Sequence, residues 1–265
     1  MPSASRPPID SSAVSRALEA AGAGHWRLAV VAETGSTNDD LAAAARAGEP
    51  PGAVLVADLQ TAGRGRLGRR WAAPAGSSLA VSVLVRPGVA ADAWGWLPLL
   101  TGLSAAEAVA STTGLDARLK WPNDVLVGGR KLAGLLAERV PSPAGDLAVL
   151  GIGLNTDLGA DELPVPTATS LALEGAAVTD RTPVLAALLV ALARRLAAWE
   201  GAAGDAVACG LADAYAARCD TLGRRVRLEL PGAPAREGTA EGVDADGRLV
   251  VDGTAYAAGD VTHLR

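Results

Sequence analysis

The stretch "LKWPNDVLVGGRKLAG", residues 119–134, combines short apolar runs with two tight-turn signals. Pro122 and Asn123 favour a turn, and Gly128–Gly129 is a typical hairpin dipeptide between two strands. Four neighbouring strands joined by short connections are therefore predicted here, at 117–121, 124–127, 131–140 and 147–155.

The pattern on either side of this stretch predicts two domains. Further strands are predicted at 27–33, 53–60 and 78–87, and helices at about 12–21, 37–47, 94–112, 183–199 and 206–218. After Leu222 the segments are short and alternating, with Asp246–Gly247 and Asp252–Gly253 turns that are typical of a small barrel. This order predicts an α+β domain at 1–218, with a mixed sheet flanked by helices, and a β-barrel at 219–265.

The composition limits the possible partners. The chain has 265 residues, a formal net charge of −5 and a pI of about 5.1, so no long-range positive field attracts it to nucleic acid or to an anionic membrane. Any anion-binding site must therefore be local. The chain has no signal-peptide pattern and no uninterrupted apolar run of about 18 residues, which argues against secretion and membrane spanning. Only Cys209 and Cys219 occur, so a reducing, cytoplasmic location is expected.

A glycine-rich basic segment, "QTAGRGRLGRRW" at residues 60–71, contrasts with the acidic chain around it. We call it the arginine loop. Its glycines allow the backbone to approach a ligand closely, and guanidinium groups bind carboxylate or phosphate through paired hydrogen bonds. The segment therefore suggests a lid over a small anion, although a solvated surface loop has the same composition. A nucleic-acid clamp is disfavoured because no aromatic residues alternate with the arginines.

Two further segments carry groups suited to chemistry. Lys120 and Lys131 flank the turn at Asn123 and Asp124, an arrangement that could offer cations to a phosphate and a carboxylate to a magnesium ion or to a lysine. An ordinary surface turn has the same spacing. "GIGLN", residues 151–155, ends an apolar strand, and its glycines could either make room for a ligand or form a bulge.

Taken together and in order, "TGSTNDD", "QTAGRGRLGRRW", "KWPND", "RKLAG" and "GIGLN" strongly resemble the motifs of the biotin protein ligase family. The resemblance implies a catalytic domain of the class II synthetase-like, biotin/lipoate ligase type, followed by an SH3-like barrel. It also implies an ATP-dependent, AMP-forming reaction in two steps. Biotin and MgATP give biotinyl-5'-AMP, and the biotinyl group then passes to one lysine of a biotin carboxyl carrier domain.

The resemblance assigns roles residue by residue. Lys131 is the principal catalytic residue, Arg64 and Arg66 contact carboxylate or phosphate, and Asp124 binds magnesium or activates the incoming lysine. The adenylate is bound by Trp71, Asn123, Lys131 and Asn155. The biotin site comprises Ser36, Thr37, Asn38, Gln60, Gly63, Arg64, Arg66, Lys131, Gly134, Leu136, Gly151 and Leu154.

Some members of this family carry an N-terminal helix-turn-helix domain and also repress transcription. Here the first motif begins at Thr34, which leaves room for only one short helix, so no DNA-binding repressor role is expected. The expected partners are biotin, ATP and the carrier domain, with no nucleic acid or membrane, and the chain is expected to be a monomer or a weak homodimer. Two alternatives are a lipoate or octanoate ligase of the same superfamily and a non-catalytic RNA-binding module.

Overall fold

The computed structural model describes residues 6–264. Residues 1–5 of the predicted first domain and residue 265 of the predicted second domain lie outside the described residues. A seven-stranded mixed sheet has the order β1-β2-β3-β7-β6-β5-β4, in which only β1 and β2 pair in parallel. Its strands are β1 (Arg27–Thr34), β2 (Ala53–Gln60), β3 (Ser78–Val85), β4 (Ala117–Lys120), β5 (Asp124–Val127), β6 (Arg130–Val140) and β7 (Leu147–Asn155). The four strands predicted from the opening stretch are therefore confirmed as β4 to β7.

The main core lies between this sheet and two long helices, α3 (Leu97–Thr113) and α4 (Arg181–Gly201). Helix α1 (Ser11–Ala20) packs on α4. By length and composition α4 could cross a membrane, but half of its apolar window is buried inside this fold. Its inward side chains pack in the core with those of α3, as expected of a helix at the centre of a domain.

The opposite face of the sheet is covered by α2 (Thr37–Arg46). Ser36 caps this helix by accepting a hydrogen bond from the backbone N–H of Asp39, and Asp39 and Asp40 lie in its first turn, where negative charge is stabilised. A second apolar cluster, which includes Leu41, joins α2 to the ends of β6 and β7. The rest of this face is left open for a cavity.

Two predicted helices begin later than the sequence pattern indicates. The segment Ala91–Trp96 is a 3₁₀ helix, and regular α3 begins only at Leu97, because Pro98 has no N–H to donate to the preceding turn. Helix α5 spans Leu211–Arg218 rather than 206–218. Gly210 has a φ of +71°, which ends the turn before it and starts the helix anew.

The C-terminal part forms a separate five-stranded antiparallel sheet in the order β11-β10-β9-β8-β12. The turn between its strands at 244–248 is hydrogen-bonded to the first domain by two indole N–H groups: Trp96 Nε1 donates to Ala245 O at 2.7 Å, and Trp121 Nε1 donates to Gly247 O at 3.2 Å. The strands are β8 (Arg225–Leu230), β9 (Ala233–Val243), β10 (Leu249–Val251), β11 (Thr254–Tyr256) and β12 (Asp260–His263).

Candidate active site

A cavity of about 250 Å³ lies on the open face of the seven-stranded sheet. Its floor is formed by β6 and β7, and its walls by the start of α2, the arginine loop, the 120–124 turn and the start of β12. All five motifs of the sequence analysis therefore meet at one place.

A β-bulge directs Lys131 into this cavity. The register steps from Val125 opposite Ala133 to Leu126 opposite Lys131, so β6 has one more residue than its partner at this point. Side chains alternate along a strand, and the extra residue brings Lys131 onto the same face as Gly134 and its cross-strand neighbour Asp124. Lys131 Nζ lies 2.6 Å from Asp124 Oδ1.

Three glycines form the cavity floor. Gly134 pairs with Gly153 across β6 and β7, and Gly151 lies two residues along on the same face. A Cβ at Gly153 would overlap the indole ring of Trp71, and a Cβ at Gly151 would overlap the side-chain amide of Asn38. The floor therefore accepts an aromatic ring and a buried amide only because these positions lack side chains.

A hydrogen-bond network orders the polar end of the cavity. The buried Ser82 of β3 contacts Asn38 Oδ1 at 2.6 Å and Thr37 Oγ1 at 2.7 Å. A hydroxyl has one proton, so Ser82 donates to the amide oxygen and accepts from Thr37. Gln60 Oε1 then accepts the backbone N–H of Thr37 at 2.8 Å, which leaves the Gln60 amide nitrogen available to the cavity.

The arginine loop folds as a small hairpin. Arg64 and Arg70 form an antiparallel bridge, Gly65 N donates to Arg69 O at 2.7 Å, and Trp71 N donates to Gly63 O at 2.8 Å. Leu67, at the tip, has a φ of +55° and is largely exposed. The hairpin is therefore held at its base and presents its tip to solvent.

The charged groups of the cavity differ in their pairing. Arg66 donates to Asn123 Oδ1 at 3.2 Å and to Gly259 O at 3.3 Å, but no ion pair is found for Arg66 or Lys120 within the described residues. Burial lowers the pKa of both groups, with partial compensation from Asp124 and Asp260. Desolvated cations of this kind are stabilised by an incoming anion.

The indole nitrogen of Trp71, in the cavity wall, is buried and has no hydrogen-bond partner within residues 6–264. Asp124 Oδ1 is also buried, and its partner is the ammonium group of Lys131, 2.6 Å away. Buried polar groups are rarely left unsatisfied, so the location of the Trp71 nitrogen marks the cavity as a ligand site.

The structure brings most of the predicted site residues together. The cavity wall includes Ser36, Thr37, Asn38, Gln60, Arg64, Arg66, Trp71, Asn123, Asp124, Lys131, Gly134, Leu136 and Gly151. The polar atoms of Asn38 are already engaged, since its Nδ2 donates to Leu136 O and to Glu138 Oε2.

Three predicted site residues lie outside the wall. Gly63 is at the base of the loop, where a Cβ would meet Trp71 O, and Leu154 is buried in the core. Asn155 donates to Thr169 O at 2.9 Å. It thereby holds the segment whose backbone pairs with Lys131, through Lys131 N to Thr167 O and Thr169 N to Lys131 O.

Lys120, which the sequence analysis singled out as a possible phosphate-binding cation without a place in the family's site, lines the cavity, and so does the start of β12 at Asp260–Thr262, which it did not assign. The rarity of lysine in this chain also singles out Lys120. The chain contains only two lysines, Lys120 and Lys131, among 24 Lys and Arg residues, and both line the cavity. For β12, which is distant in sequence, no comparable signal exists.

Comparison with known proteins agrees with this geometry. The model of the biotin/lipoate A/B protein ligase family matches residues 33–155, and that of the biotin protein ligase C-terminal domain matches residues 221–263. A biotin–[acetyl-CoA-carboxylase] ligase of Mycobacterium tuberculosis is 45% identical over 98% of this chain and 97% of its own length. The chain belongs to the biotin protein ligase family.

Other members of the family support the assignment. A biotin–[acetyl-CoA-carboxylase] ligase of Paracoccus denitrificans is 35% identical over 85% of this chain and 94% of its own length. Among solved structures, the biotin protein ligase of Aquifex aeolicus in complex with biotin and ATP superposes with a TM-score of 0.72, at 28% identity, over 90% of this chain and 99% of that one. The α+β fold expected for a biotin protein ligase is thus confirmed.

Proposed function

We propose that this family member is an ATP-dependent, AMP-forming biotin protein ligase that activates biotin as biotinyl-5'-AMP and transfers it to a lysine of a biotin carboxyl carrier domain. The main support is the coincidence, in one cavity, of the Lys131–Asp124 pair, two desolvated cations for which no ion pair is found within residues 6–264, and the unsatisfied indole nitrogen of Trp71. The relatives named above are themselves biotin ligases.

In the first step a carboxylate oxygen of biotin attacks the α-phosphorus of ATP, and the bond to pyrophosphate breaks. Two anions must approach each other, so cations held in a partly desolvated site lower the barrier. Lys131, fixed by the bulge and by Asp124, would lie between the carboxylate and the α-phosphate. Arg66 and Lys120 would stabilise the phosphate charge.

The two substrates would occupy different parts of the cavity. The hydrogen bonds of Ser82 and of the Thr37 backbone hold Thr37 and Gln60 in fixed orientations, so the Gln60 amide would face the ureido ring of biotin. Trp71, whose ring packs over Gly153 of the floor, would contact the adenylate together with Asn123 beside the loop. Gly63, Leu154 and Asn155 would support these contacts from outside the wall.

Magnesium fits the donor set as a companion of ATP. The carboxylates of the cavity wall are Asp124 and Asp260, and no group of three metal-ligating side chains occurs in the described chain. Magnesium is usually held by one or two carboxylates together with substrate phosphates, so Asp124 is the proposed protein ligand. When bound with ATP, the ion neutralises phosphate charge.

In the second step the amine of the acceptor lysine attacks the activated carbonyl carbon, an amide bond forms and AMP leaves. The amine has an ordinary pKa near 10.4 and must lose a proton before it can attack. The Asp124 carboxylate is the group we propose to accept that proton.

The remaining assignments extend this proposal. We place the catalytic domain at 1–218 and an SH3-like barrel at 219–265, and we propose a cytoplasmic protein that is a monomer or weak homodimer. The barrel closes the cavity through Asp260, whose carboxylate pairs with Arg69 of the loop.

ATP–pyrophosphate exchange tests the function directly. We expect exchange that depends on biotin and is not supported by lipoate or octanoate. Lys131→Ala should lose most of this exchange while remaining folded by circular dichroism. Exchange with lipoate alone would instead assign the chain to the lipoate branch, and no exchange with any of the three acids would refute the proposal.

A further inference from the structure

The carboxylate of Glu138 lies outside the cavity wall but is hydrogen-bonded to two side chains of that wall, Arg64 and Asn38. It accepts hydrogen bonds from Arg64 Nη2, at 2.8 and 3.0 Å from its two oxygens, and from Asn38 Nδ2 at 2.8 Å. Asp39 Oδ1 lies 2.6 Å from the same Arg64 nitrogen. Arg64 is therefore held by one carboxylate from β6 and one from α2.

This pairing distinguishes the first two arginines of the loop. Burial acts to lower the pKa of Arg64, but the hydrogen bonds and charges of Glu138 and Asp39 outweigh it and raise the pKa. The Arg66 pKa is lowered, and its hydrogen-bond acceptors are uncharged. Arg64 is already neutralised by protein groups, whereas Arg66 can receive an anion.

The contacts that hold Arg64 in place also restrain the rest of the arginine loop. Arg64 belongs to the first arm of the hairpin, and the second arm, which ends at Trp71, is bonded to it through Gly63 and Gly65. Few apolar contacts compete with this link, because residues 66–68 include no buried side chain. Fixing Arg64 therefore fixes the hinge of the hairpin, while Arg66 near the tip is held only by hydrogen bonds to uncharged acceptors, Asn123 Oδ1 and Gly259 O.

We propose that Glu138, together with Asp39, is a positioning residue for adenylation, which acts by anchoring Arg64 as the fixed hinge of the arginine loop. The inference rests on the proposed function and refines it, because it assigns Arg64 to loop attachment and Arg66 to ligand contact. Glu138 also fixes Asn38, so one carboxylate aligns the loop with the biotin end of the cavity.

A double-mutant cycle tests this coupling. We expect Glu138→Gln to raise the KM for biotin in the exchange reaction about fivefold, the size expected for a partly exposed charged pair, with kcat changed less. Arg64→Met should have a similar effect, and the double variant should be no worse than Arg64→Met alone. Glu138→Asp, which keeps the charge, should restore part of the loss.

A second readout needs no activity. In the ligand-free protein, trypsin should cleave the arginine loop several times faster in Glu138→Gln than in the parent. Glu107→Gln is the matched control, because Glu107 also bridges two arginines, Arg194 and Arg195, and none of the three lines the cavity. The arginine loop of this control variant should be cleaved at the rate of the parent. This measurement remains valid if biotin supports no exchange, so it separates the anchor from the proposed function.

The outcomes are distinct. The proposal would be overturned if Glu138→Gln had the loop-cleavage rate and the KM of the parent. It would also be overturned if the increases in the KM for biotin caused by Glu138→Gln and by Arg64→Met multiplied in the double variant. A lowered melting temperature with unchanged loop cleavage and KM would reduce Glu138 to a structural residue and would also overturn it. If Glu138→Gln fails to fold, the same cycle with Glu138→Asp decides, since a shortened side chain should also loosen Arg64.

Discussion

The floor and the lid of the cavity are built on opposite principles. The floor consists of central strands whose glycines are flanked by fully buried side chains such as Leu150 and Leu154, and it is fixed by two ladders of backbone hydrogen bonds. The lid is a hairpin with an exposed tip, attached through ion pairs and a single aromatic ring. The site therefore combines a rigid floor with a lid that can be displaced.

This difference indicates where each kind of recognition resides. Shape is determined by the floor, because a packed sheet resists displacement. Charge is supplied by the walls and the lid, where guanidinium and ammonium groups can adjust to a phosphate. Substitutions in the two regions should accordingly differ in the size and the nature of their effects.

The largest effect is expected at the floor. In Gly153→Ala the new methyl group overlaps the Trp71 ring, and neither strand can move aside. Overpacking costs roughly 1–3 kcal/mol, so we expect biotin-dependent exchange to fall by about tenfold to a hundredfold. Trp71 should also become more exposed, which its fluorescence would report. Gly242→Ala, in a strand with open space beside it, is the control and should retain full exchange.

An intermediate effect is expected at Lys120, on the wall. A charge-assisted hydrogen bond contributes about 1.5–3 kcal/mol, so Lys120→Met should raise the KM for ATP about tenfold or more. An unchanged KM for ATP would exclude Lys120 from phosphate binding.

The same variant, Lys120→Met, should weaken ATP binding but increase the free energy of unfolding of the ligand-free protein. Burial lowers the pKa of Lys120 in the folded protein, so the unfolded chain binds more protons between that lowered pKa and the ordinary value. Stability therefore rises with pH across that window, and at neutral pH the charged lysine destabilises the ligand-free fold. Lys120→Met should raise its melting temperature and weaken the rise in stability toward alkaline pH, as thermal melts at several pH values would show.

The smallest effect is expected at the edge of the lid. Arg69 is 68% exposed and pairs with Asp260, and exposed ion pairs contribute about 0–1 kcal/mol. Arg69→Ala should change exchange by less than about threefold, and the difference should vanish in high salt. Arg227→Ala, at another exposed pair, serves as the control for salt effects on the protein as a whole. A loss as large as that at Gly153 would show that the lid is held far more firmly than its contacts indicate.

Local patterns predicted the sheet, and the family resemblance assigned most of the residues that line the site. Alternation and turn dipeptides depend on neighbouring residues, so strands such as β2 and β7 were predicted at their observed bounds. The motifs that carry the resemblance are also local, and this explains why Lys131, Arg66 and Asn123 were assigned before their positions were known.

Features that depend on distant contacts could not be predicted. The bulge that turns Lys131 toward the cavity appears only when β5 and β6 are paired. Ser82 was indistinguishable from any other polar residue in an apolar strand until Asn38 was found against it. The contact of Asp260 with the loop joins positions 191 residues apart, and no sequence periodicity reports such a contact.

The location of both lysines in the cavity has a consequence for the protein's own chemistry. A mixed anhydride that escapes from such a site acylates exposed amines without selectivity. No other lysine is present in the chain, so its surface offers this reagent no side-chain amine. Acylation of the enzyme's own lysine side chains would therefore be confined to the two in the cavity, so labelling of neighbouring proteins would not be accompanied by labelled lysines elsewhere on its own surface.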